Sequence, residues 1–95
     1  MTIYFSPEAE EDFADVVGYL AGRNLIAARE MGQRIFVLVD KLALGQFDGP
    51  EQTLISGEQV RSWPLPPLRI YYQRRPGALW IVRIYHQAQP PIAKR

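Results

Sequence analysis

The sequence predicts an α+β domain in which an antiparallel helical hairpin packs on one face of an antiparallel sheet. Apolar residues recur at three- and four-residue spacing as far as Gly45, and from Val60 onward they alternate with polar residues. The first pattern is typical of amphipathic helices and the second of half-buried strands, so the helices precede most of the strands. This segregation is typical of the α+β class. A chain of 95 residues predicts one domain, residues 1–95.

The N-terminal half contains one short strand and two helices. Residues 2–5 are β-prone, and Ser6-Pro7 resembles an N-cap followed by proline at the first helical position. Gly22 ends this helix, Asn24 caps the next, and Gly45 ends the second. A connection of about three residues makes the two helices an antiparallel hairpin. The apolar stripes comprise Ala9, Phe13, Val16, Val17 and Leu20 in the first helix and Ala28, Met31, Ile35, Leu38 and Leu42 in the second.

The C-terminal half predicts a three-stranded antiparallel meander after a turn-rich connection at residues 45–52. The predicted strands are Val60–Trp63, Leu68–Arg74 and Leu79–His86, which makes the element order β-α-α-β-β-β. Prolines at 64, 66 and 67 predict that the first of these strands is short and lies near a sheet edge. Residues 87–95 lack a periodic pattern, so we expect an extended C-terminal arm or a loose tail.

Composition excludes several classes of protein. The chain has no cysteine and no cluster of metal-ligating residues, so we expect neither a metal nor a cofactor. No apolar run approaches the ~20 residues of a membrane span, and acids stand where a signal peptide carries lysines, so a cytoplasmic protein is expected. Residues 1–50 contain eight Asp/Glu and four Lys/Arg, whereas residues 51–95 contain two and seven. The C-terminal half is therefore where an anionic partner would bind.

Five segments in order carry a family resemblance. "SPEAEEDFADVVGYL", "AAREMGQRI", "GEQVRSWPL", "RIYYQRRPG" and "WIVRIYHQAQ" together resemble the ParE branch of the ParE/RelE toxin superfamily, over almost the whole chain. Each segment is short and degenerate, so the specificity lies in their order and spacing. The resemblance implies a non-enzymatic type II toxin that inhibits DNA gyrase by stabilising its DNA-cleavage complex. It also implies a ParD-like antitoxin partner that forms a hetero-oligomer with the toxin and neutralises it.

The alternative function is that of the RelE branch, whose members cleave messenger RNA on the ribosome. Such chemistry needs a base for the ribose 2′-OH and cations for the scissile phosphate. Arg61 and Arg83 resemble the phosphate-binding arginines of that branch, and His86 resembles the histidine of members that end in a His-Tyr pair. Here Gln87 follows the histidine, and an amide cannot transfer a proton near neutral pH. We therefore expect His86 to be structural.

Five residues of the basic half are predicted to bind the target. They are Arg61, Arg69, Arg83, Trp63 and Tyr71. Trp63 and Tyr71 are the candidates for surface aromatics, whereas Tyr72 and Trp80 are predicted to lie in the core. Direct nucleic-acid binding stays open at this point.

Two of these arginines lie between apolar neighbours in predicted strands. A charge there is costly unless it is paired. Arg61 and Arg83 therefore either contact a partner or are held by an internal carboxylate, for which Glu30, Asp40 and Glu58 are candidates. We expect contact with the target.

Overall fold

The computed structural model describes residues 1–94 and contains two helices and five strands. The elements are β1 (Thr2–Phe5), α1 (Pro7–Ala21), α2 (Leu25–Ala43), β2 (Glu51–Thr53), β3 (Gln59–Leu65), β4 (Leu68–Arg75) and β5 (Ala78–His86). The strands form one sheet in the order β1-β5-β4-β3-β2. The predicted α+β class is confirmed.

Both helices begin at the predicted caps. The Ser6 hydroxyl accepts a hydrogen bond from the Ala9 backbone N–H at 3.0 Å, and Pro7 occupies the first helical position. The Asn24 side chain accepts from two backbone N–H groups in the first turn of α2. These bonds satisfy donors that a helix N-terminus otherwise leaves unpaired, so short polar residues fix both starts.

The strand predictions need three corrections. Residues Glu51–Thr53 form an additional strand, β2, which precedes the three predicted strands of the C-terminal half. This polar segment carries no alternating pattern. β1 pairs in parallel with β5, so the sheet is mixed rather than antiparallel. β3 runs through Pro64 to Leu65 and is therefore longer than predicted. Pro64 is tolerated because it lies beyond the residues of β3 that hydrogen-bond to β2.

The two faces of the sheet differ in what covers them. On the side called the helix face, both helices bury the main core. Its strand residues include Leu68, Ile70, Tyr72, Leu79, Ile81 and Ile84. On the opposite side, called the tail face, a smaller cluster contains Leu54, Val60, Tyr71 and Val82. Alternate residues of each central strand therefore enter different cores.

The C-terminal segment lies across the tail face. The backbone N–H of Lys94 donates to the Thr53 carbonyl at 2.7 Å, and that of Ile55 donates to the Ile92 carbonyl at 2.6 Å. These bonds and the Leu54–Ala93 bridge join residues 92–94 to the end of β2 and the first residues of the loop that follows it. The predicted arm extended to Arg95, which lies outside the described residues. Within residues 1–94, neither helix combines the length and apolar character needed to span a membrane.

Candidate functional site

Arg83 is bound by an acid of the first helix and is 29% exposed at its side chain. Its Nε and Nη2 donate to the two carboxylate oxygens of Asp12, at 2.7 and 2.9 Å. One of these oxygens also accepts the backbone N–H of Ile84 at 3.0 Å. The hydrogen bonds that Arg83 donates to Asp12 raise the pKa of Arg83, which stays fully charged. Asp12 therefore joins α1 to the part of β5 that extends beyond β1.

The sequence offered acids such as Glu30, Asp40 and Glu58 as internal partners of Arg83, and the partner found is instead Asp12. A usable signal was present, because Asp12 stands three residues after Ala9 and four before Val16. That spacing puts an acid on the apolar stripe of α1, where it must find a partner.

Arg61 is also bound to internal groups. Its Nη1 donates to the Gly49 carbonyl at 2.8 Å, and its Nη2 donates to Glu51 at 3.1 Å. Its Nε lies 3.5 Å from a carboxylate oxygen of Asp48. The side chain is still 35% exposed, so it is accessible to a partner as well.

Asp48 is the centre of a small polar network at the β2 side of the sheet. It accepts a hydrogen bond from the Tyr72 hydroxyl and lies 3.2 Å from Nε of Arg74. Burial raises the pKa of Asp48, but the Tyr72 hydrogen bond and the charges of Arg74 and Arg61 outweigh this effect. The pKa of the carboxyl group is therefore below its usual value.

Arg69 differs from the other two predicted arginines. It donates to the Ser62 hydroxyl at 3.0 Å, and Ser62 in turn hydrogen-bonds Gln52. Within residues 1–94 it makes no ion pair. Its charge is therefore oriented by neutral groups and remains available to an anionic partner.

The two predicted surface aromatics have different environments. Tyr71 is only 6% exposed and belongs to the tail-face cluster, so its prediction as a surface residue is wrong. The reason is that the C-terminal segment covers its strand, which periodicity cannot reveal. Trp63 is half-buried, and its ring centroid lies 4.4 Å from that of Phe47.

His86 ends β5 and makes a local contact. Its Nδ1 accepts the backbone N–H of Ala88 at 3.0 Å, which holds the turn that leads into the C-terminal segment. This contact leaves the ring at the edge of a cleft lined by α1 and the sheet end.

The three residues of the ribonuclease hypothesis do not converge. Arg61 stands opposite Tyr72, whose side chain is on the helix face, whereas Arg83 stands opposite Tyr71, on the tail face. The β4–β5 register shifts between Tyr71 and Tyr72, so the positions of the two arginines are defined by their contacts. The guanidinium of Arg83 on β5 reaches Asp12 of α1, whereas that of Arg61, two strands away on β3, is held by Glu51 of β2. His86 pairs with the first residue of β4, roughly 13 Å along the strand from Tyr72. These groups cannot surround one phosphate in this arrangement.

A groove of about 640 Å³ lies between α2 and β3. Its apolar wall includes Val37, Leu38, Phe47, Trp63 and Leu65, and its rim carries Glu30, Arg34 and Lys41. Val37 is 52% exposed although it is apolar. β2 pairs only with residues 59–61 of β3, so within residues 1–94 the last residues of β3 have a neighbouring strand, β4, on one side only. We call this feature the α2–β3 groove.

The fold defines a class of small α+β protein in which a helical hairpin covers one sheet face and leaves a groove beside the sheet. A solved structure with this fold is titled a chromosomal ParDE TA system from P. aeruginosa. It matches with a TM-score of 0.72 and 19% identity, over 90% of this chain and 95% of that chain. No curated protein matches the sequence. The family model described as the ParE toxin of the type II toxin-antitoxin system, parDE, matches residues 3–91. The chain belongs to the ParE toxin family, which confirms the resemblance predicted from the sequence.

Proposed function

We propose that this toxin inhibits DNA gyrase without catalysing a reaction of its own and is neutralised by a ParD-like antitoxin. Family membership supports the class of target. The main structural support is that Arg61, Arg83 and His86, the residues a ribonuclease would use, lie apart and are bound to internal groups. A binder needs a surface rather than a converged set of catalytic groups.

The target surface is proposed to include arginines that keep accessible charge. Arg69 makes no ion pair within residues 1–94, and Arg61 remains partly exposed. Gyrase acts while bound to polyanionic DNA, so free guanidinium groups favour that complex. Arg83 and Tyr71, which the sequence also assigned to the target, are proposed to act only through the fold. Trp63 is reassigned to the groove.

An alanine substitution at Arg69 tests the target surface. Arg69→Ala should reduce growth inhibition and gyrase-dependent DNA cleavage by about tenfold, because a charged contact is lost. The thermal midpoint should move by only a few degrees, since the side chain loses one hydrogen bond to Ser62. Unchanged toxicity in a folded variant would remove Arg69 from the proposed surface.

The antitoxin is proposed to place an amphipathic helix in the α2–β3 groove. An apolar wall with exposed Val37 fits the apolar face of such a helix. A partner that fills the groove and continues over the surface would bury about 1,500 Å² or more, which is consistent with nanomolar affinity. A micromolar or undetectable interaction with the adjacent reading frame would contradict the assignment.

Two exposed residues of the same helix provide a matched test of the groove. Val37→Asp puts a charge against the apolar wall and should weaken antitoxin binding by about tenfold or more. Ile26→Asp is the control, because Ile26 is also apolar and 68% exposed on α2 but lies outside the groove. Calorimetric titration of both variants should separate them. Equal effects would place the antitoxin elsewhere.

A further inference from the structure

Three side chains form an ordered stack on the tail face near the β1 edge of the sheet. Tyr4 in β1 stands beside Trp80 in β5, with ring centroids 5.6 Å apart and ring planes inclined by 35°. The guanidinium carbon of Arg75 lies 4.5 Å from the Trp80 ring centroid. We call this group the Tyr4 stack. Trp80, predicted from the sequence as a core residue, is in fact partly exposed within it.

The outer ring of the stack is accessible. Tyr4 is 48% exposed, and β1 is the terminal strand of the sheet, so no further strand lies beside it. Its contact with Trp80 fixes one side of the ring. A half-exposed aromatic ring that is supported from one side can accept a planar group on the other.

The charge of Arg75 is oriented but not neutralised. Its Nε and Nη2 donate to the side-chain oxygen of Gln73, at 3.2 and 2.8 Å. Arg61, Arg74 and Arg83 each have a carboxylate partner, whereas Arg75 has none within residues 1–94. A fixed guanidinium without a counter-charge is suited to binding a phosphate.

We propose that the Tyr4 stack is a binding site for single-stranded nucleic acid, with a base on the Tyr4 ring and a backbone phosphate at Arg75. Each nucleotide of a single strand offers both an unstacked aromatic face and a phosphate, and this pair of groups matches the site. A duplex keeps its bases stacked inside and cannot supply the first contact. The site is separate from the α2–β3 groove and does not depend on which enzyme the toxin inhibits.

The acids near the Tyr4 stack restrict the path of the bound nucleic acid. Trp80 also lines a pocket with Glu8, Glu58 and Arg83, and the charge of Arg83 is paired with Asp12. The negative charges of Glu8 and Glu58 disfavour a phosphate there. The phosphate backbone of the nucleic acid is therefore expected to lie on the side of Trp80 that faces Arg75.

The chain contains a matched control for this site. Tyr19 is 63% exposed, and the guanidinium carbon of Arg23 lies 4.8 Å from its ring centroid. This pair also combines an exposed tyrosine with an arginine, although Arg23 lies over the tyrosine ring itself and Arg75 lies over Trp80. Tyr19 lies on α1, which carries five Asp/Glu and no Lys/Arg. A phosphate is repelled at that position, so Tyr19 should not bind the strand.

The test is fluorescence anisotropy of the full chain with labelled oligo(dT) of about ten nucleotides, a length suited to one small binding site. We expect wild-type protein to bind the single strand and to bind a duplex of equal length more weakly. Tyr4→Ala should raise Kd by about tenfold or more, because base stacking is lost, while Tyr4→Phe should keep most of the affinity. Tyr19→Ala should leave Kd unchanged.

Salt dependence tests the second contact. Arg75→Gln should lower the slope of log Kd against log salt by about 0.7, the value for one single-strand phosphate contact. The proposal fails if the wild-type chain does not bind the oligonucleotide, if it prefers the duplex, or if Tyr4→Ala and Tyr19→Ala have equal effects. It also fails if Tyr4→Ala abolishes toxicity while oligonucleotide binding is absent, since the stack would then contact a protein. Circular dichroism spectra and thermal midpoints of the variants establish that they are folded.

Discussion

Replacing Arg83 with alanine should destabilise the toxin without removing its ability to act on its target. Arg83 and Asp12 are 29% and 15% exposed at their side chains and share two hydrogen bonds. Removing one partner of a buried pair costs about 3–5 kcal/mol, and an exposed pair contributes about 0–1 kcal/mol. This pair is nearer the buried limit, so we expect a loss of about 2–3 kcal/mol in the free energy of unfolding.

Thermal unfolding followed by circular dichroism measures this loss. For a domain of this size the expected fall in Tm is about 10–20 °C. Arg75→Ala is the comparison, because Arg75 is exposed and has no carboxylate partner within residues 1–94; loss of its contact with Trp80 should cost about 1 kcal/mol or less. A double-mutant cycle with Asp12→Asn should give a coupling of about 1–3 kcal/mol.

The same variant distinguishes an internal contact from a target contact. Assayed at a temperature where it is folded, Arg83→Ala should still stabilise cleaved DNA in the presence of gyrase. The reasoning is refuted if Tm changes by only a degree or two, or if the folded variant has lost this activity. A small change in Tm would mean that the Asp12 pair contributes little to stability, and lost activity in the folded variant would mean that Arg83 contacts the target.

Three other changes follow from the described contacts. Because the pKa of Asp48 is lowered in the folded state, its contribution to stability is present above the unfolded pKa of about 4 and is lost as pH falls through the folded value. Acid titration of unfolding should therefore show a slope below about pH 4 that is reduced in Asp48→Asn; an identical slope would contradict the network. Gly49→Ala would place a Cβ 1.7 Å from the Ser62 carbonyl oxygen, so denaturant unfolding should show a loss of about 3 kcal/mol, and wild-type stability would refute this close approach. His86→Gln should cost about 1 kcal/mol or less, and both the variant and the wild type should leave messenger RNA intact in a ribosome assay; cuts that vanish in the variant would restore the ribonuclease hypothesis.

Local signals were sufficient to predict the helical hairpin. Ser6-Pro7 and Asn24 act within one turn, so their effect can be read from neighbouring residues alone. The parallel pairing of β1 with β5 could not be predicted in this way, because it joins residues more than 70 positions apart and periodicity carries no information on strand order. β2 was missed since three polar residues give no period to detect.

The site depends even more on contacts between distant segments. The sequence singled out Arg61 and Arg83 as charges that need partners, but their acids, Asp48 and Asp12, are selected by tertiary packing. Tyr71 alternates in its strand as a surface residue would, and only the C-terminal segment makes it buried. Such segments without a pattern are where single-sequence reasoning is weakest.

The most direct test of the proposed function is a DNA-cleavage assay with purified gyrase, supercoiled plasmid and the wild-type chain. After detergent and protease treatment, cleaved plasmid should accumulate in proportion to the toxin and should disappear when an equimolar ParD-like antitoxin is added first. The ribosome-loaded translation assay run in parallel should show intact messenger RNA. Undisturbed plasmid together with antitoxin-sensitive cuts in messenger RNA would contradict the account.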